Sequence, residues 1–243
     1  MDQFVNFYKP NEKKNFWLPD SIRSFRKNQK RLGKDWKYRD IEILYTTNEF
    51  GFRTKSHFDI DWKESIVILG CSNVFGIGLE NRKTLAKQLE KLVGVDVINL
   101  GIPGSALDLA VFNSFFIYEN LPHPKAIIQV WTSPERYSQF YLNGDIETMA
   151  PFTKGFDPKL NSAFKNLIHI EQDRALWRNS SSVYREYSFF DDWLYLEKDF
   201  GIKKDLGIEI FDELDKARDL SHPGDLTNLK AAEIVKKDLD KVL

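Results

Sequence analysis

Four histidines, His57, His123, His169 and His222, are the imidazoles this chain has for proton transfer. His123 lies between two prolines in a connector, His57 precedes the first predicted core strand, and His169 sits in an aromatic-rich stretch, so each reads as structural or exposed. His222 differs, because it follows Asp219 in the stretch DLSH directly after the last predicted strand. A carboxylate and an imidazole can therefore project from one short loop, although Asp-x-x-His before Pro223 also fits a helix N-cap region. The nucleophile that such a pair would serve is Ser72, placed in ILGCSNVFGIGL (68–79) where an apolar run meets two glycines. A serine hydroxyl attacks only if a base takes its proton and a third group orients that base. The same glycine-rich turn invites a phosphate-loop reading, but Gly76 and Gly78 are followed by Leu79, Glu80 and Asn81, which fits neither G-x-x-x-x-G-K-[ST] nor G-x-G-x-x-G.

The elements that must carry these residues follow a regular rhythm. SIVILG (65–70), DVINLG (96–101) and AIIQVW (126–131) are short continuous apolar runs, as expected for strands covered on both faces. TLAKQLEKLV (84–93) has apolar residues at helical spacing, and 105–121 reads as a second helix stopped by PHP. Strand, helix, strand, helix, strand implies a parallel sheet with helices on both faces, and ligands bind beyond the carboxyl ends of such strands. Residues 39–54 suggest an extended segment with a glycine turn, 207–214 a last strand, and 226–243 a closing helix. Within 134–205 the pattern predicts a loop at 143–158 and helical pieces at 163–177 and 184–200, read together as an insertion or cap over the same domain. Residues 1–47 form an N-terminal extension packed on the domain of residues 48–243.

With 243 residues the chain can bury one large core, and 35 basic against 36 acidic side chains give a net charge of -1, so the balance indicates no nucleic-acid partner. Cys71 is the single cysteine, which excludes an internal disulfide and a thiolate metal cluster within the chain. The histidines lack metal-ligand spacing, and neither a metal nor a cofactor is expected. No secretory leader or bilayer-length apolar run is present, so a soluble, cytoplasmic protein is expected. Arg23, Arg26, Lys27, Lys30, Arg31, Lys34 and Lys37 fall close together. They fit a solvated helix and loop anchored by Phe16, Trp17, Phe25 and Trp36, with a polyanion-binding arm as the sharper alternative.

At this point the chain resembles the SGNH hydrolases, also called the GDSL-like esterase and lipase superfamily. Its first block, Gly-Asp-Ser followed by glycines, matches GCSNVFGIG (70–78) with Ser72 at the nucleophile position; its second matches NLGIPGSA (99–106), and its last, Asp-x-x-His, matches DLSHPG (219–224). NEFGFRT (48–54) is similar to a lead-in of bacterial and phage relatives, so the resemblance spans 48–243. It implies a three-layer α/β/α sandwich with a central, mainly parallel, flavodoxin-like sheet. It also implies a serine esterase in which Ser72 attacks an acyl carbonyl, His222 carries the proton and Asp219 braces the imidazole. The backbone N–H groups of Ser72 and Gly104 would then face the oxyanion.

The chain departs from the family pattern twice. Cys71 replaces the aspartate of the first block and is expected to pack, and VWTSPERY (130–137) replaces Gly-x-Asn-Asp, putting Ser133 where the asparagine amide would donate. Trp131, Arg136 and Asn73 are further candidates for substrate contact, by stacking on a sugar or by hydrogen bonding. The expected substrate is a small-molecule or carbohydrate acyl ester such as an O-acetyl sugar. The alternative is a weakly active or inactive module of the same fold that binds a glycan or a protein.

Overall fold

Three short apolar runs build the centre of the molecule. In a computed structural model, which describes residues 3–142, 145–150, 162–196 and 206–243, they become three adjacent strands of one sheet. In chain order the elements are β1 (Lys13–Lys14), α1 (Ile22–Leu32), β2 (Tyr45–Thr46), β3 (Ile66–Gly70), α2 (Ser72–Phe75), α3 (Leu85–Val93), β4 (Val97–Gly101), α4 (Leu107–Asn120), β5 (Ala126–Trp131), β6 (Tyr137–Phe140), β7 (Ile146–Met149), α5 (Ser162–Trp177), β8 (Val183–Ser188), β9 (Glu209–Ile210) and α6 (Asp225–Leu239). The main sheet has five strands in the order β4-β3-β5-β8-β9, every neighbouring pair parallel. This is the flavodoxin-like order, in which the chain leaves the first strand toward one edge and returns to its other side. The reversal opens a crevice beyond the carboxyl end of β3, where Ser72 begins α2.

Side chains on successive strand residues point to opposite faces, and here both faces are apolar. Ile66 and Ile68 join Val97, Ile128 and Val130 against α3 and α6, which contribute Leu85, Leu89, Ala232 and Val235. Val67 and Leu69 join Ile98, Leu100 and Ile127 against α4 and α5, through Leu107, Ile117, Ile170 and Trp177. The result is a three-layer α/β/α sandwich. Thr84 caps α3 by accepting a hydrogen bond from the Lys87 N–H, and Gly94 ends it in a left-handed conformation, so both ends lie where the sequence places them.

Within 134–205 the helix expected at 163–177 is α5, whereas the second expected helical piece departs from expectation. Residues predicted as helix from 184 onward are strand β8 through Ser188, followed by a short 3-10 turn at Asp191–Tyr195; residues 197–200 lie outside the described residues. The strand escapes a pattern reading because VYREYS carries charge inside the sheet, where partners from other elements neutralise it. Glu186 accepts from Trp131 Nε1 at 3.0 Å and Arg174 Nε at 2.7 Å, and the Tyr184 hydroxyl donates to Asp173 at 2.8 Å. Because β8 lies between β5 and β9, α5 and β8 belong to the sandwich itself and do not form an insertion over it. The predicted loop at 143–158 contains strand β7, which pairs antiparallel with β6; residues 143–144 and 151–158 lie outside the described residues. The predicted last strand narrows to the two residues of β9.

Within residues 3–47, Phe4 packs on Phe116 of α4, and a later part of the segment runs against the turn that follows β3. Trp17 and Tyr45 pack on Phe75 with ring centroids 4.9 and 6.1 Å apart, and β1 pairs with β2. On α1, Arg23, Arg26, Lys27, Lys30 and Arg31 are exposed, whereas Lys37 is ion-paired with Asp215 and Asp225. No helix among the described residues is long and apolar enough to cross a membrane.

Helix α2 sits so close to β4 that the position at the strand's end has no room for a side chain. A Cβ at Gly101 would lie 2.3 Å from the Phe75 backbone nitrogen and 2.9 Å from the Val74 carbonyl carbon, main-chain atoms that cannot swing aside. Gly101→Ala is therefore expected to cost about 1–3 kcal/mol, as overpacking does in well-filled interiors. A urea midpoint equal to that of the wild type would show that α2 does not rest on β4 in this way.

Candidate active site

Ser72 opens α2 immediately after β3, with Cys71 as N-cap and Gly76 closing the single turn in a left-handed conformation. Cys71 is buried and its sulfur lies 4.0 Å from Ser72 Oγ, so the thiol packs beneath the hydroxyl. A buried guanidinium holds the far end of the turn. Arg53 donates to the carbonyls of Phe75 at 3.2 Å, Gly76 at 2.7 Å and Leu79 at 2.8 Å, tying the end of the one-turn helix to the glycine turn that follows it. Burial lowers the Arg53 pKa to about 10, with the charge of Asp20 among the opposing effects, so it remains cationic at neutral pH.

The second half of the site comes from the loop between β9 and α6. Leu220 adopts φ 62°, a left-handed conformation uncommon for leucine, and the resulting tight bend turns Asp219 and His222 toward each other. Asp219 Oδ1 accepts from the backbone N–H of Ser221 at 3.3 Å and of His222 at 3.2 Å, and Oδ2 lies 2.6 Å from His222 Nδ1. The other ring nitrogen, Nε2, lies 2.9 Å from Ser72 Oγ, across 150 residues of chain. Burial pushes the Asp219 carboxyl up, but the hydrogen bond and charge of His222, with the two backbone N–H groups, outweigh it and hold the carboxyl below the usual aspartate range. An ionised Asp219 accepts the Nδ1 proton, which leaves the Nε2 lone pair to accept the Ser72 O–H.

This loop reaches Ser72 because Gly78 lets it. Gly78 has φ 76°, and a Cβ there would meet Ala217 Cβ at 2.8 Å, the Arg218 nitrogen at 2.9 Å and Asp219 Oδ1 at 3.1 Å. The second glycine of the GIG pair is thus the surface on which the Asp219 loop lies, and the Arg218 N–H donates to the Gly78 carbonyl at 3.1 Å.

The remaining sequence candidates separate into those near the sheet's carboxyl edge and those turned away from it. Gly104 lies on the exposed turn after β4 at φ 75° with open space beside its Cα, and among the described residues neither its N–H nor that of Ser72 is hydrogen-bonded to the chain. The Tyr8 hydroxyl steadies this turn by donating to the Pro103 carbonyl at 2.9 Å. Ser133, just past β5, and Asn73, on α2, are both buried. Trp131 does not offer a face to a sugar: it is 1 % exposed, packed among the α4 and α5 side chains, with its indole N–H on Glu186. Its position, the last of a strand covered on both faces, puts the ring in the core. Arg136 is half-buried, with its guanidinium 5.4 Å from the Phe190 ring.

The other histidines are placed elsewhere. His57 is ringed by Phe4, Phe50 and Trp62, His123 lies 3.2 Å from the Tyr118 carbonyl oxygen, and His169 pairs with Gln172 on the surface. Arg53, Asp20, Tyr45 and Arg218 escaped the sequence reading. Arg53 stands in NEFGFRT and Arg218 directly precedes Asp219, so position alone could have flagged these two; nothing local marks Asp20 or Tyr45.

No family model matches the sequence, and no curated protein matches it. Solved structures of GDSL and SGNH esterases do resemble it. A protein named for the G-D-S-L lipolytic family, from Desulfitobacterium hafniense, is 13% identical over 72% of this chain and 99% of its own, with a TM-score of 0.45. A carbohydrate esterase family 2 enzyme with a carbohydrate-binding domain, from Corynascus thermopiles (Myceliophthora fergusii), is 13% identical over 82% of this chain and 70% of its own, at 0.46. A two-domain esterase active on acetylated mannans is 16% identical over 74% of this chain and 50% of its own, at 0.37.

Proposed function

We propose that this chain is a metal-independent serine esterase of the SGNH type, working through an acyl-enzyme on small acyl esters, O-acetyl groups of carbohydrates among them. The observation that carries the proposal is the unbroken contact from Asp219 through His222 to Ser72, 2.6 Å on one side of the imidazole and 2.9 Å on the other. Both distances lie within proton-transfer range.

In the first half-reaction Ser72 Oγ bonds to the acyl carbon as its proton passes to His222 Nε2, and the carbonyl π pair moves onto oxygen. Collapse of that oxyanion expels the alcohol, which takes the proton from Nε2, and water repeats the sequence to release the acid. Asp219 keeps the Nδ1 proton in place and stabilises the imidazolium while it exists. The backbone N–H groups of Ser72 and Gly104 serve the oxyanion, and the Ser133 hydroxyl takes the place of the family's asparagine amide. One such donor is worth about 2.7–4 kcal/mol of barrier. With Ser72 only 7 % exposed beneath His222, a small or extended acyl group fits the approach better than a bulky one.

A fluorophosphonate probe is expected to label the folded protein at Ser72, read by peptide mass spectrometry, with release of p-nitrophenol from p-nitrophenyl acetate as the parallel assay. Folded protein that neither takes the label nor turns over the ester would overturn the proposal in favour of a binding module.

A further inference from the structure

The two loops that meet at His222 Nε2 and Ser72 Oγ are also tied together beneath the site, by a buried network that the reaction itself does not use. Asp20 and Arg218 are 0% and 2% exposed and stand 198 residues apart in the chain. The guanidinium reaches the carboxylate through Nε at 3.1 Å to Oδ1 and Nη2 at 2.7 Å to Oδ2. Its remaining donors go to the Ile41 carbonyl at 3.1 Å and the Asn15 carbonyl at 2.9 Å, while the Phe16 and Phe25 rings stand 4.8 and 5.0 Å from its central carbon. Asp20 Oδ2 also accepts the Tyr45 hydroxyl proton at 2.6 Å, and the Tyr45 oxygen in turn accepts the Gly78 N–H at 2.7 Å. The Arg218 N–H on the Gly78 carbonyl closes the circuit.

One carboxylate therefore holds both sides of the site. Gly78 belongs to the turn that carries Ser72, and Arg218 is the residue before Asp219. A buried ion pair is a poor means of adding stability, since apolar side chains of equal volume often do as well or better. What it supplies here is register: a planar fork with all three nitrogens engaged accepts few other positions, so the Asp219 loop cannot slide along Gly78 without breaking charge-assisted bonds. Burial, with the adjacent Asp20 charge, raises the Tyr45 pKa and keeps the phenol protonated as the donor that this circuit needs.

We propose that Asp20, Tyr45 and Arg218 are positioning residues by which the N-terminal segment sets the separation of Ser72 and His222. The inference rests on the esterase reading, and it predicts lost turnover without lost substrate binding, because none of the three faces the acyl group. Displacing reacting groups by about an ångström can cost on the order of 100-fold. Asp20→Asn is expected to lower kcat about 100-fold. Tyr45→Phe keeps the ring against Phe75 and removes only the hydroxyl bridge, so it is the variant that still folds if Asp20→Asn does not, and it is expected to lower kcat about tenfold. KM for p-nitrophenyl acetate is expected to stay within about twofold for both.

Hydrogen exchange gives a readout independent of turnover. In Tyr45→Phe the peptides covering 76–80 and 216–222 are expected to exchange faster together, while those of β3 and β5 keep their wild-type rates. If the wild type is labelled at Ser72 and folded Tyr45→Phe has an unchanged kcat, the positioning role is wrong. If the wild type is not labelled, the esterase reading fails instead, and unchanged exchange in the two loops would overturn the clamp as well.

Discussion

Replacing Ser72 with alanine is expected to lower kcat for p-nitrophenyl acetate by about 10⁴- to 10⁶-fold, the range found when the nucleophile of a serine hydrolase is removed. The size follows from what the substitution takes away. No other hydroxyl lies within hydrogen-bonding distance of His222 Nε2 among the described residues, so under the proposed mechanism the variant has a base with nothing to deprotonate. The fold should hardly notice. Among the described residues the hydrogen-bonding partners of Ser72 Oγ are His222 and the Cys71 sulfur alone, and the freed Nε2 belongs to a ring that is 13% exposed, so water can replace the lost partner. A loss of about 1 kcal/mol or less is expected in urea unfolding. Full turnover in the folded variant, or collapse of the fold, would each contradict this account of the site.

Asp219→Asn carries the second largest expected effect, a fall in kcat of about 10⁴-fold with the fold retained. The amide can keep the backbone bonds from Ser221 and His222 to Oδ1, but it then presents an N–H₂ donor to Nδ1. The imidazole can satisfy that donor only by moving its proton to Nε2, and an Nε2 that already bears a proton cannot take one from Ser72. The same variant tests the pH dependence of stability. Asp219 is held below its ordinary pKa in the folded state, so its contribution is complete above the unfolded value of about 3.9 and is lost as pH falls through the lowered one. The wild type's lead over Asp219→Asn in urea midpoint is therefore expected to narrow below about pH 4. A lead that widens on acidification would show that the carboxyl is not stabilised as the anion.

Several residues show why some of this was open to a reader of the chain alone. Strands β3, β4 and β5 are covered on both faces, and burial on both faces leaves an uninterrupted apolar run, the simplest pattern a sequence can show. Helix α3 carries its own start and stop in Thr84 and Gly94. Ser72, Asp219 and His222 each follow a strand, and in a parallel sheet all strands end on the same edge, so order in the chain already implied a common side. Strand β8 shows the opposite case. Its Arg185 and Glu186 look like the surface of a helix until Arg174 and Trp131, from other elements, are seen to satisfy the half-buried Glu186 carboxylate.

Local properties of the chain, namely periodicity, capping and turn chemistry, determined by themselves the α/β class, the parallel sheet and the edge at which a serine, an aspartate and a histidine stand. Only the tertiary structure decided that Trp131 is core, that α5 and β8 complete the sandwich, and that Asp20 grips Arg218 beneath the site. Those outcomes depend on which distant groups come within about 3 Å of one another. Such pairing leaves no periodic trace, because its energy comes from contacts made after the chain has closed on itself.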